Sequence, residues 1–79
     1  MKTPPFKLLD VRPLLARGDE PLPAIRARLA ALPDGQGLTV VAPFLPAPLI
    51  ELLKSEGYES KMERRADGAW AVSFWRAAS

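Results

Sequence analysis

The run from Leu38 to Ala42 constrains the fold most, because it is an uncharged, β-branched segment in the middle of a chain of 79 residues. A segment without charges is typical of a strand that has neighbours on both sides. A short apolar segment, Phe6 to Val11, and then an amphipathic segment precede it. The order strand, helix, strand predicts a right-handed parallel crossover with Leu38 to Ala42 in the interior of the sheet.

The amphipathic segment predicts a first helix that begins after Asp19. Its apolar residues recur at helical spacing and form one stripe: Leu22, Ile25, Leu29 and Leu32. Asp19 is expected to cap the helix, with Glu20 and Pro21 in the first turn. Residues 13–18 are expected to be a loop.

The second half of the chain predicts another helix and a hairpin. Prolines lead into a helix at about Ala47 to Glu56, whose buried side is expected to be Leu49, Leu52 and Leu53. Gly57 is the expected residue after its end. The last segment, Tyr58 to Arg76, is expected to form two antiparallel strands.

The register of the hairpin follows from its apolar residues. A two-residue turn at Asp67-Gly68 would place charged side chains on the apolar face. A three-residue loop, 66–68, with Gly68 in the left-handed region instead pairs Met62 with Val72 and Ser60 with Phe74. This second register is the predicted one.

Together these elements predict an α+β fold, a two-layer α/β sandwich of order β-α-β-α-β-β. It has a mixed four-stranded sheet with two helices on one face. A chain of 79 residues cannot divide its apolar residues between two cores, so residues 1–79 are expected to form a single domain. Residues 1–5, which include two prolines, are expected to be flexible.

Two helices can cover only one side of such a sheet, so the other face is predicted to be open. The hairpin register places Trp75 on that face, and the alternation along the first strand adds Phe6 and Leu8. Exposed apolar side chains of this kind form a candidate association surface. The alternative, that the C-terminal tail or the sheet edge buries Trp75, stays open.

Composition limits the chemistry. The chain has no cysteine and no histidine, which excludes thiolate nucleophiles, zinc–thiolate sites and imidazole acid/base catalysis. We predict no cofactor and no metal site, and leave open whether the chain is an enzyme. The net charge is only +2, and no apolar run is long enough to span a bilayer. A cytoplasmic protein without membrane contact is expected.

Three motifs resemble the TusA/SirA sulfur-carrier family over nearly the whole chain. Leu9-Asp10-Val11-Arg12 is similar to its Leu-Asp-x-Arg strand, although Pro13 replaces the usual glycine. Glu20-Pro21-Leu22-Pro23 stands where the family has Cys-Pro-x-Pro, and Asp34-Gly35 approximates its Pro-Gly-Glu turn. The resemblance implies the same two-layer fold. It does not imply persulfide transfer, since Glu20 replaces the cysteine, and it is nearest to an uncharacterised cysteine-free sister branch, a domain of unknown function.

The loop between the first strand and the first helix gathers four candidate recognition residues, Asp10, Arg12, Asp19 and Glu20. One interpretation is a polar pocket or a carboxylate pair for acid/base work. The other is structural: Asp19 and Glu20 satisfy the helix start, and Asp10 pairs locally with Arg12. Both remain open from the sequence.

The first hypothesis for function is a non-enzymatic interaction module that binds a protein partner, with weak homodimerisation left open. The alternative is single-stranded nucleic-acid binding through a hairpin that carries four cations and two tryptophans: Lys61, Arg64, Arg65, Arg76, Trp70 and Trp75. Interleaved acidic residues weaken that positive field. A third hypothesis is an enzyme that uses Glu20 with Asp10.

Overall fold

A computed structural model describes residues 6–76, which form four strands and three helices. In chain order these are β1 (Phe6–Asp10), α1 (Arg12–Ala16), α2 (Leu22–Ala30), β2 (Gly37–Ala42), α3 (Ala47–Ser55), β3 (Tyr58–Arg64) and β4 (Trp70–Arg76). Residues 1–5, whose flexibility the sequence predicts, lie outside the described residues.

The strands form one mixed sheet in the order β1-β2-β4-β3. β2 pairs parallel with β1 and antiparallel with β4, and β4 pairs antiparallel with β3. The uncharged strand β2 is therefore interior, and all its residues except Thr39 are buried. The predicted α+β class and mixed four-stranded sheet are confirmed.

The hydrophobic core lies between one face of the sheet and the helices. Ile25 and Leu29 of α2, and Ile50 and Leu53 of α3, belong to one cluster with alternate residues of the two central strands: Leu38, Val40, Ala42, Val72 and Phe74. Because these strand residues share one face by the period of two, both long helices lie on that face. The opposite face carries no helix of the described chain.

The hairpin has the predicted register. Met62 pairs with Val72 and Ser60 with Phe74. The Arg65 N–H donates to the Ala69 carbonyl at 2.8 Å, and the Gly68 N–H donates to the Arg65 carbonyl at 3.0 Å. Gly68 has φ +87°, the left-handed conformation that a three-residue loop requires at this position.

The segment after β1 differs from the prediction. Residues 13–18 were expected as a loop, but α1 adds a third helix there; Pro13 fits near its start, where the missing N–H has no helical partner. The prediction of Asp19 as a helix cap is wrong. α2 begins after Pro21, and no side chain caps it.

The buried side of α3 is also rotated from the predicted one. Ile50 and Leu53 are buried, whereas Leu49 and Leu52 are only half-buried. Gly57 follows the helix end with φ +95°, as predicted. Among the helices of residues 6–76, none has the length and apolar character needed to span a membrane.

Candidate functional site

An ionic bridge joins the end of β1 to the hairpin turn. Asp10 lies on the open face, since it alternates with Phe6 and Leu8, and it accepts hydrogen bonds from Arg12 Nε at 3.0 Å and Arg12 Nη2 at 2.7 Å. Arg12 Nη1 donates to Asp67 Oδ2 at 3.2 Å. The Arg12 side chain therefore reaches from the outer strand β1 across the sheet to the turn between β3 and β4.

One residue of the open face, Val41, is buried at the level of the bridge. Val41 pairs with Asp10 on one side and Ala71 on the other, yet only 1% of it is exposed. The path of the Arg12 side chain from Asp10 to Asp67 crosses the sheet at this level. An arginine that spans this level can shield an apolar residue beneath it with its methylene groups.

Both carboxyl groups of the bridge have lowered pKa values. The Arg12 side chain, hydrogen-bonded to Asp10, holds the pKa of Asp10 below its ordinary value. For Asp67 the main cause of the lowered pKa is the Ala69 N–H, with Arg12 adding to it. A carboxylate that is held ionised by partners is a weak base near neutral pH, so this arrangement fits a structural role better than proton transfer.

Two members of the predicted recognition loop lie apart from the bridge. Asp19 pairs with Arg17, with 3.1 Å between Asp19 Oδ2 and Arg17 Nε, and both are exposed. Glu20 is exposed and forms no hydrogen bond or ion pair with a side chain of residues 6–76. The structure brings Asp10 and Arg12 together as a pair and adds Asp67, which the sequence did not suggest.

The second predicted surface is the apolar patch on the open face, formed by Phe6, Leu8 and Trp75. The ring centroids of Phe6 and Trp75 lie 5.8 Å apart, with their planes at 55°. Leu8 is 60% exposed and Phe6 is 37% exposed; Trp75 is half-buried. The three side chains form one surface, which we call the aromatic patch, and it crosses three strands.

Gly37 permits the aromatic patch to form. It lies on β2, the strand between β1 and β4, and a Cβ atom at this position would overlap the Phe6 ring and lie 2.8 Å from the Phe74 carbonyl oxygen. A side chain at this position would therefore force the Phe6 ring or the neighbouring backbone to shift. The sequence prediction of the patch did not include this glycine, although a glycine at the start of an interior strand indicates a close approach.

Two arginines of the hairpin lie near aromatic rings of the same hairpin. The guanidinium carbon of Arg64 lies 6.0 Å from the Trp70 ring centroid, and that of Arg76 lies 4.5 Å from the ring centroid of Tyr58. Trp70 and Trp75 are an odd number of residues apart on β4 and point to opposite faces. They cannot form a single platform on which bases stack.

An apolar cavity of about 280 Å³ lies on the helix side of the sheet, where β1 and β2 end. Its walls come from both long helices and the segment after β2; the lining residues are Val11, Leu15, Pro21, Leu22, Ile25, Val40, Ala42, Phe44, Pro46, Pro48, Leu49 and Leu52. Sequence reasoning missed this cavity. The sequence feature that could have indicated it is Phe44, a large aromatic residue in a segment between two prolines. The structure leaves this side chain 55% exposed.

Within residues 6–76, no group of three or more acidic side chains is arranged to hold a metal ion. The lining of the cavity contains no ionisable residue. The arrangement therefore offers surfaces for apolar contact and one ionic bridge that stabilises the sheet.

A family model described as "Uncharacterized conserved protein (DUF2249)" matches residues 8–76. No curated protein and no solved structure matches the chain. The resemblance to the TusA/SirA sulfur carriers stays a prediction.

Proposed function

The chain belongs to the DUF2249 family, and we propose that it is a non-enzymatic interaction module that docks a protein partner on the aromatic patch. The observation that carries the proposal is the contact between Phe6 and Trp75 on a sheet face that no helix of the described chain covers. With Leu8 beside them, the two rings offer apolar area that a partner can remove from water.

The distribution of charge across the open face indicates which surface chemistry a partner needs. The patch occupies the side of β1, and the far side carries alternating charges on β3, namely Glu59, Lys61 and Glu63. Between them, Thr39 and Ser73 hydrogen-bond to each other at 2.8 Å, so each hydroxyl has a partner within the sheet. A partner of matching chemistry has an apolar centre for the patch and a polar rim over β3.

Loss of the sulfur-carrier chemistry is part of the proposal. The chain has no cysteine, so no thiol can carry a persulfide, and Glu20 stands at the position that the resemblance assigns to the cysteine. We infer that an inherited two-layer scaffold serves recognition in the cytoplasm. Nucleic-acid binding through the hairpin has less support, because Arg64 lies near the ring of Trp70, and Trp70 and Trp75 point to opposite faces of the sheet.

The test compares two leucines that are both exposed. Leu8→Glu places a charge in the aromatic patch, and Leu45→Glu places the same charge on the loop after β2, where 37% of the side chain is exposed. Proteins captured by the wild-type chain are identified, purified and titrated against all three forms. We expect Leu8→Glu to weaken the specific complex by at least about tenfold, the equivalent of about 1.4 kcal/mol, and Leu45→Glu to leave its affinity unchanged.

Equal affinity of the Leu8→Glu and wild-type chains for every purified partner would overturn the proposal. Sedimentation over a range of concentrations separates a second copy of this chain from a different protein. Self-association that Leu8→Glu abolishes would identify the partner as another copy.

A further inference from the structure

We propose that the apolar cavity binds a neutral, apolar small molecule of the size of a fused bicyclic ring. This site is separate from the aromatic patch, since the cavity lies on the helix side of the sheet and the patch on the open face. Ile25 and Val40 line the cavity and are each at most 1% exposed. The cavity therefore reaches down to the hydrophobic core.

The lining of the cavity selects a ligand without charge. All lining residues are Val, Leu, Ile, Ala, Pro or Phe, so no side chain at the site carries a charge or forms a hydrogen bond. A charged group that gave up its water here would gain no side-chain partner in return, which is unfavourable. A neutral apolar molecule has no such loss, and the water that it leaves favours its transfer into the cavity.

The volume of the cavity selects the size of the ligand. A dry apolar cavity of about 150 Å³ accommodates a benzene molecule, and this one measures about 280 Å³. Scaled in proportion, it accommodates about eleven non-hydrogen atoms. A fused bicyclic ring such as naphthalene is of this size, whereas a single small ring would leave part of the cavity empty.

Phe44 is a wall of the cavity that water still reaches. It lines the cavity, yet 55% of it is exposed. Pro43 precedes it and Pro46 follows in the same segment, and the fixed φ of proline limits how far this segment can bend inwards to fill the space. A ligand that packs against the ring would remove apolar surface of Phe44 from water as well as its own. An aromatic ligand would add a stacking contact.

The experiment compares three probes that share one ring system and differ in charge: naphthalene, 1-naphthoate and 1-naphthylmethylammonium. Each is titrated into the full chain and followed by backbone amide chemical shifts. We expect naphthalene to bind at least about tenfold more tightly than either charged probe, because the charged group must enter an apolar site or hold the ring partly outside it. The largest shifts should occur at Val40, Ala42 and Phe44.

A matched pair of variants assigns the site. Phe44 and Leu45 are adjacent and exposed, but only Phe44 lines the cavity. Phe44→Ala should weaken binding of naphthalene by about fivefold or more, because it removes one wall and its stacking contact, and Leu45→Ala should not. Leu8→Glu, which changes the aromatic patch, should leave the affinity for naphthalene unchanged.

Four results would overturn this inference. They are no binding of naphthalene up to its limit of solubility, equal or tighter binding of either charged probe, equal losses in the Phe44→Ala and Leu45→Ala variants, and loss of naphthalene binding in Leu8→Glu. Tighter binding of naphthoate would show that backbone N–H groups at the helix starts select an anion instead. The protein-docking proposal is tested with purified partners and without these probes, so each proposal can fail alone.

Discussion

Phe6 and Trp75 contact each other across the strand that separates them, with 5.8 Å between their ring centroids. They belong to β1 and β4, and β2 runs between these strands. The contact exists because β2 begins with Gly37, which leaves room for the Phe6 ring. A residue with no side chain thus determines the shape of the only aromatic pair between strands that the described part of the chain contains.

Gly37→Ala should destabilise the fold, since the added methyl group meets the Phe6 ring and the Phe74 carbonyl oxygen. Overpacking of this kind costs about 1–3 kcal/mol of unfolding free energy, which urea denaturation measures. In a Phe6→Ala background the loss of unfolding free energy should be smaller, because the new methyl group no longer meets the Phe6 ring and meets only the Phe74 carbonyl oxygen. An identical cost in both backgrounds would contradict the role assigned to the ring.

Phe74 and Phe6 should respond differently to truncation. Phe74 is fully buried in the core cluster, so Phe74→Ala should reduce the unfolding free energy by about 3–5 kcal/mol. Phe6 is 37% exposed and lies on the open face, so Phe6→Ala should cost less than about 2 kcal/mol. Urea midpoints of the two variants provide the comparison, and a reversed order would show that the core has been misassigned.

The ionic bridge should make stability depend on pH. Because Arg12 lowers the pKa of Asp10 in the folded state, the unfolded chain binds its proton first as the pH falls. The stabilising contribution is complete above the unfolded pKa, about 3.9, and is lost as the pH falls through the lower folded value. Thermal midpoints of the wild type should therefore fall more steeply below about pH 4 than those of Asp10→Asn.

Asp67 and Glu56 also have lowered pKa values, through the Ala69 N–H and through Arg26 respectively, and both are present in the wild type and in Asp10→Asn. The difference between the two curves isolates Asp10. Parallel curves would contradict the assignment of the bridge to Asp10.

Gly68 should tolerate asparagine better than alanine. Its φ of +87° is a conformation that costs an alanine about 1 kcal/mol or more, whereas asparagine adopts it more readily. A Cβ atom at Gly68 would meet no other atom within 4 Å, so the cost comes from the backbone alone. Denaturation of Gly68→Ala and Gly68→Asn tests this, and equal losses would argue against a left-handed requirement.

The elements that sequence reasoning missed share a physical cause. Residues 13–18 contain the breakers Pro13 and Gly18, which indicate a loop, but Pro13 fits the start of α1 and Gly18 follows its end with φ +81°. Aspartate is a residue type that often caps helices, but the carboxylate of Asp19 pairs with Arg17. In both cases the local sequence permitted two structures, and residue preferences alone did not distinguish them.

The sequence alone determined the strands, the two long helices, the hairpin register and the open face, because these depend on periodicity and turn chemistry within short segments. Only the tertiary structure decided three relationships. Asp67 joins Arg12 from 55 residues away, Gly37 leaves room for Phe6 beside Trp75, and Phe44 lines a cavity beside the helices. Each depends on how distant segments pack in space, which no local pattern records.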